Sequence, residues 1–296
     1  MSDRDIVNKI LSFAPESSFE FEEDDCISAK LNNKNNIFYG CIRTCKNKNE
    51  VLLLLNKLEK LKFLDLRKNR IHYLPELNFK NLRHLDLASN YLTEVPSWIK
   101  HNNLEFLNLG VNNLKSIPEW ISELTNLKVI KLHKNELNNV DPISTCSNVK
   151  FLNLYLNKMR KIPDFIWKFK EIQFFSWGLT GISHLPNEIS NWKKLEWLSL
   201  VANKLVSLPD EICELKQLKG MRLNKNKLEK LPENIGSLHN LQEISLYRNR
   251  LRELPESFQK LNLKKLNLSY NMFERIPSGI HADWLCFENK NLLWEN

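Results

Sequence analysis

From Leu61 onward, apolar and polar residues alternate in short bursts that return every 21 to 23 positions. Ten copies begin at Leu61, Leu82, Leu104, Leu127, Val149, Ile172, Leu195, Leu218, Leu241 and Leu263, and "LEWLSLVANKLVSLPDEICELKQ" (195–217) is a clean one. Positions four and six of each copy are apolar and their neighbours mostly polar, the period of a strand with one buried face. After the burst come apolar residues three apart, such as Ile121 and Leu124, Ile166 and Phe169, or Ile235 and Leu238. That spacing predicts one helical or 3₁₀ turn on the opposite side. No copy can bury its leucines alone, but stacked neighbours bury them continuously.

Two further positions punctuate the repeat. Position nine is asparagine in nine copies, from Asn69 to Asn271. An amide at the exit of a strand can satisfy turn groups in its own and the adjacent coil. Position fifteen is usually proline, which fixes its backbone angle and discourages strand pairing. Two copies depart from the frame. The fourth reads "VDPIS" (140–144), with Asp141 where proline is usual and Pro142 one residue late. The sixth, within "FFSWGLTG" (174–181), has Thr180 in place of the asparagine.

With the frame L-x-x-L-x-L-x-x-N-x-L-x-x-L-P established, the chain resembles the leucine-rich repeat proteins. Its L-P-x-x-I endings are similar to the intracellular, Ras-group type of animal and plant scaffolds and their bacterial cousins. The resemblance covers residues 61–283. It implies an α/β solenoid, a horseshoe of about ten repeats with a parallel sheet on the concave face and short helical or 3₁₀ turns on the convex face. It also implies a protein-binding module, although fold alone narrows function only to a class.

The ends read as caps. Residues 1–60 predict a helix over 5–13, two strands around an Asn-rich turn in 26–42, and a buried helix at "NEVLLLLNKLEKL". Residues 284–296 supply Trp284, Leu285, Phe287, Leu292 and Trp294 as a seal for the last repeat. Only nineteen residues follow Pro277, too few for a catalytic domain.

Positions three, five, seven and eight are expected on the concave face. Position three runs Phe63, His84, Phe106, Val129, Phe151, Phe174, Trp197, Gly220, Glu243 and Lys265. Tyr155, Leu156, Leu179 and Val201 extend this apolar row, and Lys131, Lys134, Arg222 and Arg248 stand around it. An apolar centre with a charged rim has the composition of a protein-binding surface. The expected partner-binding residues are therefore Phe106, Val129, Phe151, Tyr155, Leu156, Phe174, Leu179, Trp197 and Val201, with those four cations steering. On this reading Gly178 leaves room for a partner's side chain, and Thr180 caps part of its turn through the hydroxyl.

Composition narrows the partner only a little. The net charge is +8, and residues 61–296 hold 34 bases against 25 acids. That balance keeps a nucleic-acid platform of basic and aromatic residues as the alternative to a protein partner. The same apolar patch would also suit a second copy of the chain. Six irregularly spaced cysteines suggest buried thiols in a reducing cytoplasm, and no fourth ligand completes a zinc site around Cys26, Cys41 and Cys45. The longest apolar run, "VLLLL", is far short of a bilayer span, and no classical signal peptide is legible. No catalytic, phosphate-binding or dinucleotide motif is present, so no cofactor, metal or enzymatic activity is expected. An adaptor, an inhibitor and a bacterial effector delivered into a host cell all remain compatible with the sequence.

Overall fold

The first nine repeats each contribute a strand of only three residues, and such a strand persists because its neighbours supply the hydrogen bonds. The computed structural model describes residues 37–39, 48–58, 61–79, 81–275 and 277–288. The chain divides into two units, residues 1–148 and 149–296. The first holds β1 (Ile37–Tyr39), helix α1 (Lys48–Leu55), β2 (Phe63–Asp65), β3 (His84–Asp86), β4 (Phe106–Asn108) and β5 (Val129–Lys131). The second holds β6 (Phe151–Asn153), β7 (Phe174–Ser176), β8 (Trp197–Ser199), β9 (Gly220–Arg222), β10 (Glu243–Ser245), β11 (Asn262–Asn267) and β12 (His281–Cys286). Within each unit the strands pair in parallel and in chain order.

The register aligns equivalent positions. Phe63 faces His84, His84 faces Phe106 and Phe106 faces Val129 in the first unit. Phe151, Phe174, Trp197 and Gly220 follow one another in the second. Positions four and six point inward, and Leu64, Leu66, Leu85, Leu87, Leu198 and Leu200 are buried. Each such side chain contributes about 2 kcal/mol of apolar burial.

The asparagine ladder acts between coils. The Asn112 amide donates to the Leu87 and Leu109 carbonyls at 3.0 and 3.1 Å, while its Oδ1 accepts from the Leu92 N–H at 3.0 Å. The residue before each ladder position lies in the left-handed region, from Lys68 (φ 58°) to Tyr270 (φ 58°), and none of the ten is glycine. That conformation is costly outside glycine and asparagine, so the ladder bonds over-determine it.

The prolines head 3₁₀ turns as the periodicity predicts. Ile99, Ile121, Ile166, Ile189 and Ile212 each donate an N–H to the proline carbonyl three residues back. In the fourth repeat the displaced Pro142 sits inside a shortened turn, Asp141–Ile143, that begins at Val140 instead.

At the front, α1 buries Val51, Leu52, Leu54 and Leu55, and the Asn56 side chain accepts from the Asn78 N–H at 2.6 Å. β1 pairs in parallel with β2 and so extends the repeat sheet. The expected helix over 5–13, the rest of the Asn-rich hairpin, and Cys26, Cys41 and Cys45 lie outside the described residues, as do Leu292 and Trp294.

One expectation at the other end is corrected. Trp284 does not seal the last repeat, being 53% exposed, whereas Leu285, 39% exposed, pairs with the core residue Leu266. β12 continues the ladder in plain register, which sets Trp284 beside Lys265 at position three on the strand face. Phe287 does turn inward, with its ring 5.8 Å from that of Phe273.

Candidate functional site

The strand face of the first unit is filled by its own side chains. Phe63, His84 and Phe106 stack nearly parallel with centroids 3.7 Å apart at both steps. Lys131 places its ammonium 5.1 Å from the Phe106 ring, and Val129 continues the row half-buried. Burial between two rings pushes the His84 pKa down to about 4, against a smaller opposing pull from Asp65.

Beside this stack, position five is closed by polar groups. Asp65, Asp86 and Asn108 are buried, and each accepts the backbone N–H two residues on. Arg67 holds Asp65 at 2.6 Å and reaches Asp86 at 3.5 Å, while Asn108 donates to Asp86 at 3.0 Å. Burial raises the Asp86 pKa. These carboxylates are engaged struts. The His133 ring lies over Gly110, where an added Cβ would come within 2.2 Å of it. Lys134 stands exposed on its left-handed turn.

The second unit starts the same way and then opens. Phe151 and Phe174 stack at 3.9 Å, 4° from parallel. The next ring, Trp197, instead lies over Gly220, where an added Cβ would be 2.1 Å from it. The Tyr155 ring covers Gly178, 2.7 Å from a notional Cβ there. The space beside Gly178 is therefore occupied from within. It is not left for a partner, because the neighbouring repeat supplies a ring long enough to reach it.

What opens instead is a hollow of about 350 Å³ over the middle of the strands. Its walls are Tyr155, Phe174, Trp197 and Val201, and its floor is the position-five row Asn153, Ser176, Ser199 and Arg222. Successive members of that row are direct strand partners. Leu156 follows the Tyr155 wall and Leu179 donates its N–H to the Val201 carbonyl at 3.0 Å; they are 38% and 44% exposed, because the left-handed turn residue points outward. Arg248 lies 5.3 and 5.5 Å from the Tyr247 and Tyr270 rings, an arrangement that fixes its guanidinium by cation–π attraction.

The expected residues thus fall in two settings. Phe151, Tyr155, Phe174, Trp197, Val201 and Arg222 surround or adjoin the hollow, with Leu156 and Leu179 next to its Tyr155 and Val201 walls and Arg248 on its tyrosine clamp. Phe106, Val129, Lys131 and Lys134 belong to the filled face of the first unit. The floor residues Asn153, Ser176 and Ser199 were missed, although three small polar side chains in succession at position five are visible in the sequence.

The odd sixth repeat also has an inner side. Phe175 and Trp177 take the two core leucine positions and are fully buried, packing with Trp167 and Trp192 through centroid distances of 4.6 to 6.3 Å. Thr180 does not cap its own turn. Its hydroxyl donates to Asn203 Oδ1 at 3.0 Å, which ties it to the next coil.

Other chemistry finds no foothold among the described residues. No group of three His, Cys, Asp or Glu side chains could hold a metal ion, and no helix is long and apolar enough to cross a membrane. Burial pushes the Cys146 and Cys213 thiols up to about 11, which leaves them unreactive as thiolates near neutrality.

Family comparison agrees with the geometry: the chain is a leucine-rich repeat protein. Leucine-rich repeat family models match residues 59–100, 80–137, 216–273 and 262–286. Among solved structures it resembles a leucine-rich repeat protein of Leptospira interrogans, at 29% identity over 75% of this chain and 69% of that one, with a TM-score of 0.58. It also resembles the internalin InlF of Listeria monocytogenes, at 20% identity over 75% of this chain and 64% of that one, TM-score 0.67. A third is the plant peptide hormone receptor RGFR1, solved in complex with RGF2, at 23% identity over 72% of this chain and 38% of that one, TM-score 0.56. A search of curated proteins returned no match. The last two likenesses establish the fold alone. That fold is a generic protein–protein interaction scaffold, typically non-catalytic.

Proposed function

We propose that this protein is a non-catalytic binding module of the intracellular L-P-x-x-I type, holding a protein partner against the strand face of its second unit. The observation that carries the reading is the hollow, whose apolar walls and open rim would seat a partner's side chain out of water. Burying half of one aromatic there contributes about 2 kcal/mol. The stacks leave Phe106 and Phe151 mainly their ring edges, so the anchor is assigned to Phe174, Trp197, Tyr155 and Val201. Adaptor, inhibitor and delivered effector are all uses of such a module, and the cytoplasm suits the buried, disulfide-free thiols of Cys146 and Cys213.

The nucleic-acid alternative is weaker on the same geometry. Base stacking needs free ring faces in succession. Here Phe151 and Phe174 use theirs on each other, and Trp197 rests one face on Gly220.

A photo-reactive benzoylphenylalanine at Leu179, compared with one at Lys168 on a 3₁₀ turn, tests the reading in the source cells. A protein adduct formed at Leu179 but not at Lys168 supports it. An adduct only at Lys168, or one that nuclease removes, would sink it.

A further inference from the structure

We propose that the hollow selects its protein partner through an acidic side chain, which pairs with Arg222, set beside a large apolar side chain packed on Phe174 and Trp197. This deepens the reading above and rests on it. Arg222 ends the floor row, one strand beyond Ser199, and is exposed without an ion-pair partner among the described residues. Nearby acids are already engaged. Glu196 binds Lys219 at 2.8 Å and Glu243 binds Lys265 at 3.2 Å. The cationic side of the site is therefore in surplus.

The floor points the same way. The Ser176 and Ser199 hydroxyls make no hydrogen bond within the described residues, so both O–H groups are free to donate upward. A carboxylate only accepts, and it matches a floor of donors closed by a guanidinium. A carboxylate between Ser199 and Arg222 would have charge-assisted bonds from both, with its neighbour's apolar group under the Phe174 and Trp197 walls.

The surroundings extend the match beyond one pair. The strand-exit turns of the second unit (156–162, 179–185, 202–208, 225–231, 248–254 and 270–276) carry eleven Lys and Arg against three Glu. Lys225 and Arg248, on the turns following Arg222 and Ser245, are among them and exposed. Such a field raises the encounter rate of an acidic partner and repels a basic one. It also disfavours a second copy of this chain, whose own turns carry the same charge.

A random linear-peptide library displayed on phage, selected on the wild-type protein, tests this. Enriched peptides are expected to place Asp or Glu within two residues of Trp, Phe or Leu. The leading peptide is then synthesised with its acid intact and as the amide variant, and titrated against wild type, Arg222→Gln, Phe174→Asp and Ser199→Trp. Circular dichroism checks each fold, and Ser199→Trp fills the hollow while leaving its wall residues unsubstituted.

Amidating the acid is expected to weaken wild-type binding by roughly tenfold or more, the usual worth of a charged hydrogen bond. It should cost clearly less for Arg222→Gln, where only the Ser199 bond is left to weaken, while Ser199→Trp abolishes binding. If amidation costs the same with and without Arg222 but Ser199→Trp still abolishes binding, the acidic selection falls and the protein-binding hollow stands. No enrichment, or binding indifferent to both Phe174→Asp and Ser199→Trp, overturns both. So does oligothymidylate binding that Ser199→Trp removes.

Discussion

The two units present the same positions of the same repeat and make opposite surfaces. In the first, Phe63, His84 and Phe106 form a closed stack flanked by Asp65, Asp86, Asn108 and Arg67, all bonded to one another or to backbone. In the second, serines replace the acids at position five, and Trp197 leaves the stack to lie on Gly220. The aromatic row runs through both. What differs is the bulk beside it, so an aromatic row does not itself make a site. The exit turns differ as well, with eleven bases to three acids in the second unit and four to two in the first.

Glycines break the comparison most sharply. Gly220→Val would drive a branched side chain into the Trp197 ring, which walls the hollow. Such overpacking is expected to cost about 1–3 kcal/mol. It should also close the hollow and abolish binding of any partner seated there. Gly110→Val in the first unit meets the His133 ring at a similar 2.2 Å and should cost a similar amount in urea unfolding. It should leave binding intact. If both variants lose binding equally, the hollow is not the site and the contrast between units has no functional meaning.

A smaller effect marks the closed stack. His84 titrates at about 4 when folded against 6.5 as the ordinary value. A depressed folded value means the unfolded chain binds the proton first. The contribution is present above pH 6.5 and is lost progressively as the pH falls towards 4. Asp86, with its raised carboxyl, works in the opposite sense and is retained in both proteins under comparison. His84→Phe keeps the stack and removes the titration, so its melting temperature should fall less than that of wild type between pH 7 and pH 4.5. Parallel curves would mean the imidazole is not enclosed between the rings as described.

The repeat made most of the fold legible. Periodicity located all ten strands from β2 to β11, and the proline-headed 3₁₀ turns followed from apolar residues three apart. Those features depend on bonds between equivalent positions, which a repeating sequence displays openly. The left-handed residue before each asparagine was not legible, since Lys, Ser, Val, Leu, Ala, Arg and Tyr all occupy it without a local preference for that angle. Ring orientation was hidden for a related reason. Whether Trp197 stacks on Phe174 or lies on Gly220 depends on a glycine 23 residues away, and reading position three as a uniform row overlooks that choice. Trp284 was misplaced because a terminal strand in register looks, in sequence, like any apolar tail.

The smallest predicted effect separates the ladder of the sixth repeat from its face. Thr180→Asn would restore an amide able to donate to the Leu154 and Trp177 carbonyls, as Asn112 does to Leu87 and Leu109. It gives up the present hydroxyl bond to Asn203 Oδ1. One neutral bond is lost and up to two are made, so the net gain is expected to be about 1 kcal/mol or less, read as a shift in the urea midpoint with unchanged slope. Peptide binding should not change, because position nine lies under the turn and does not line the hollow. A stabilised variant with unaltered binding would show that the threonine is a lost rung, and that the repeat's distinctive surface comes from Ser176 and Gly178. If binding fell instead, Thr180 would be holding Leu179 in place, and the departure from the repeat frame would itself be part of the site.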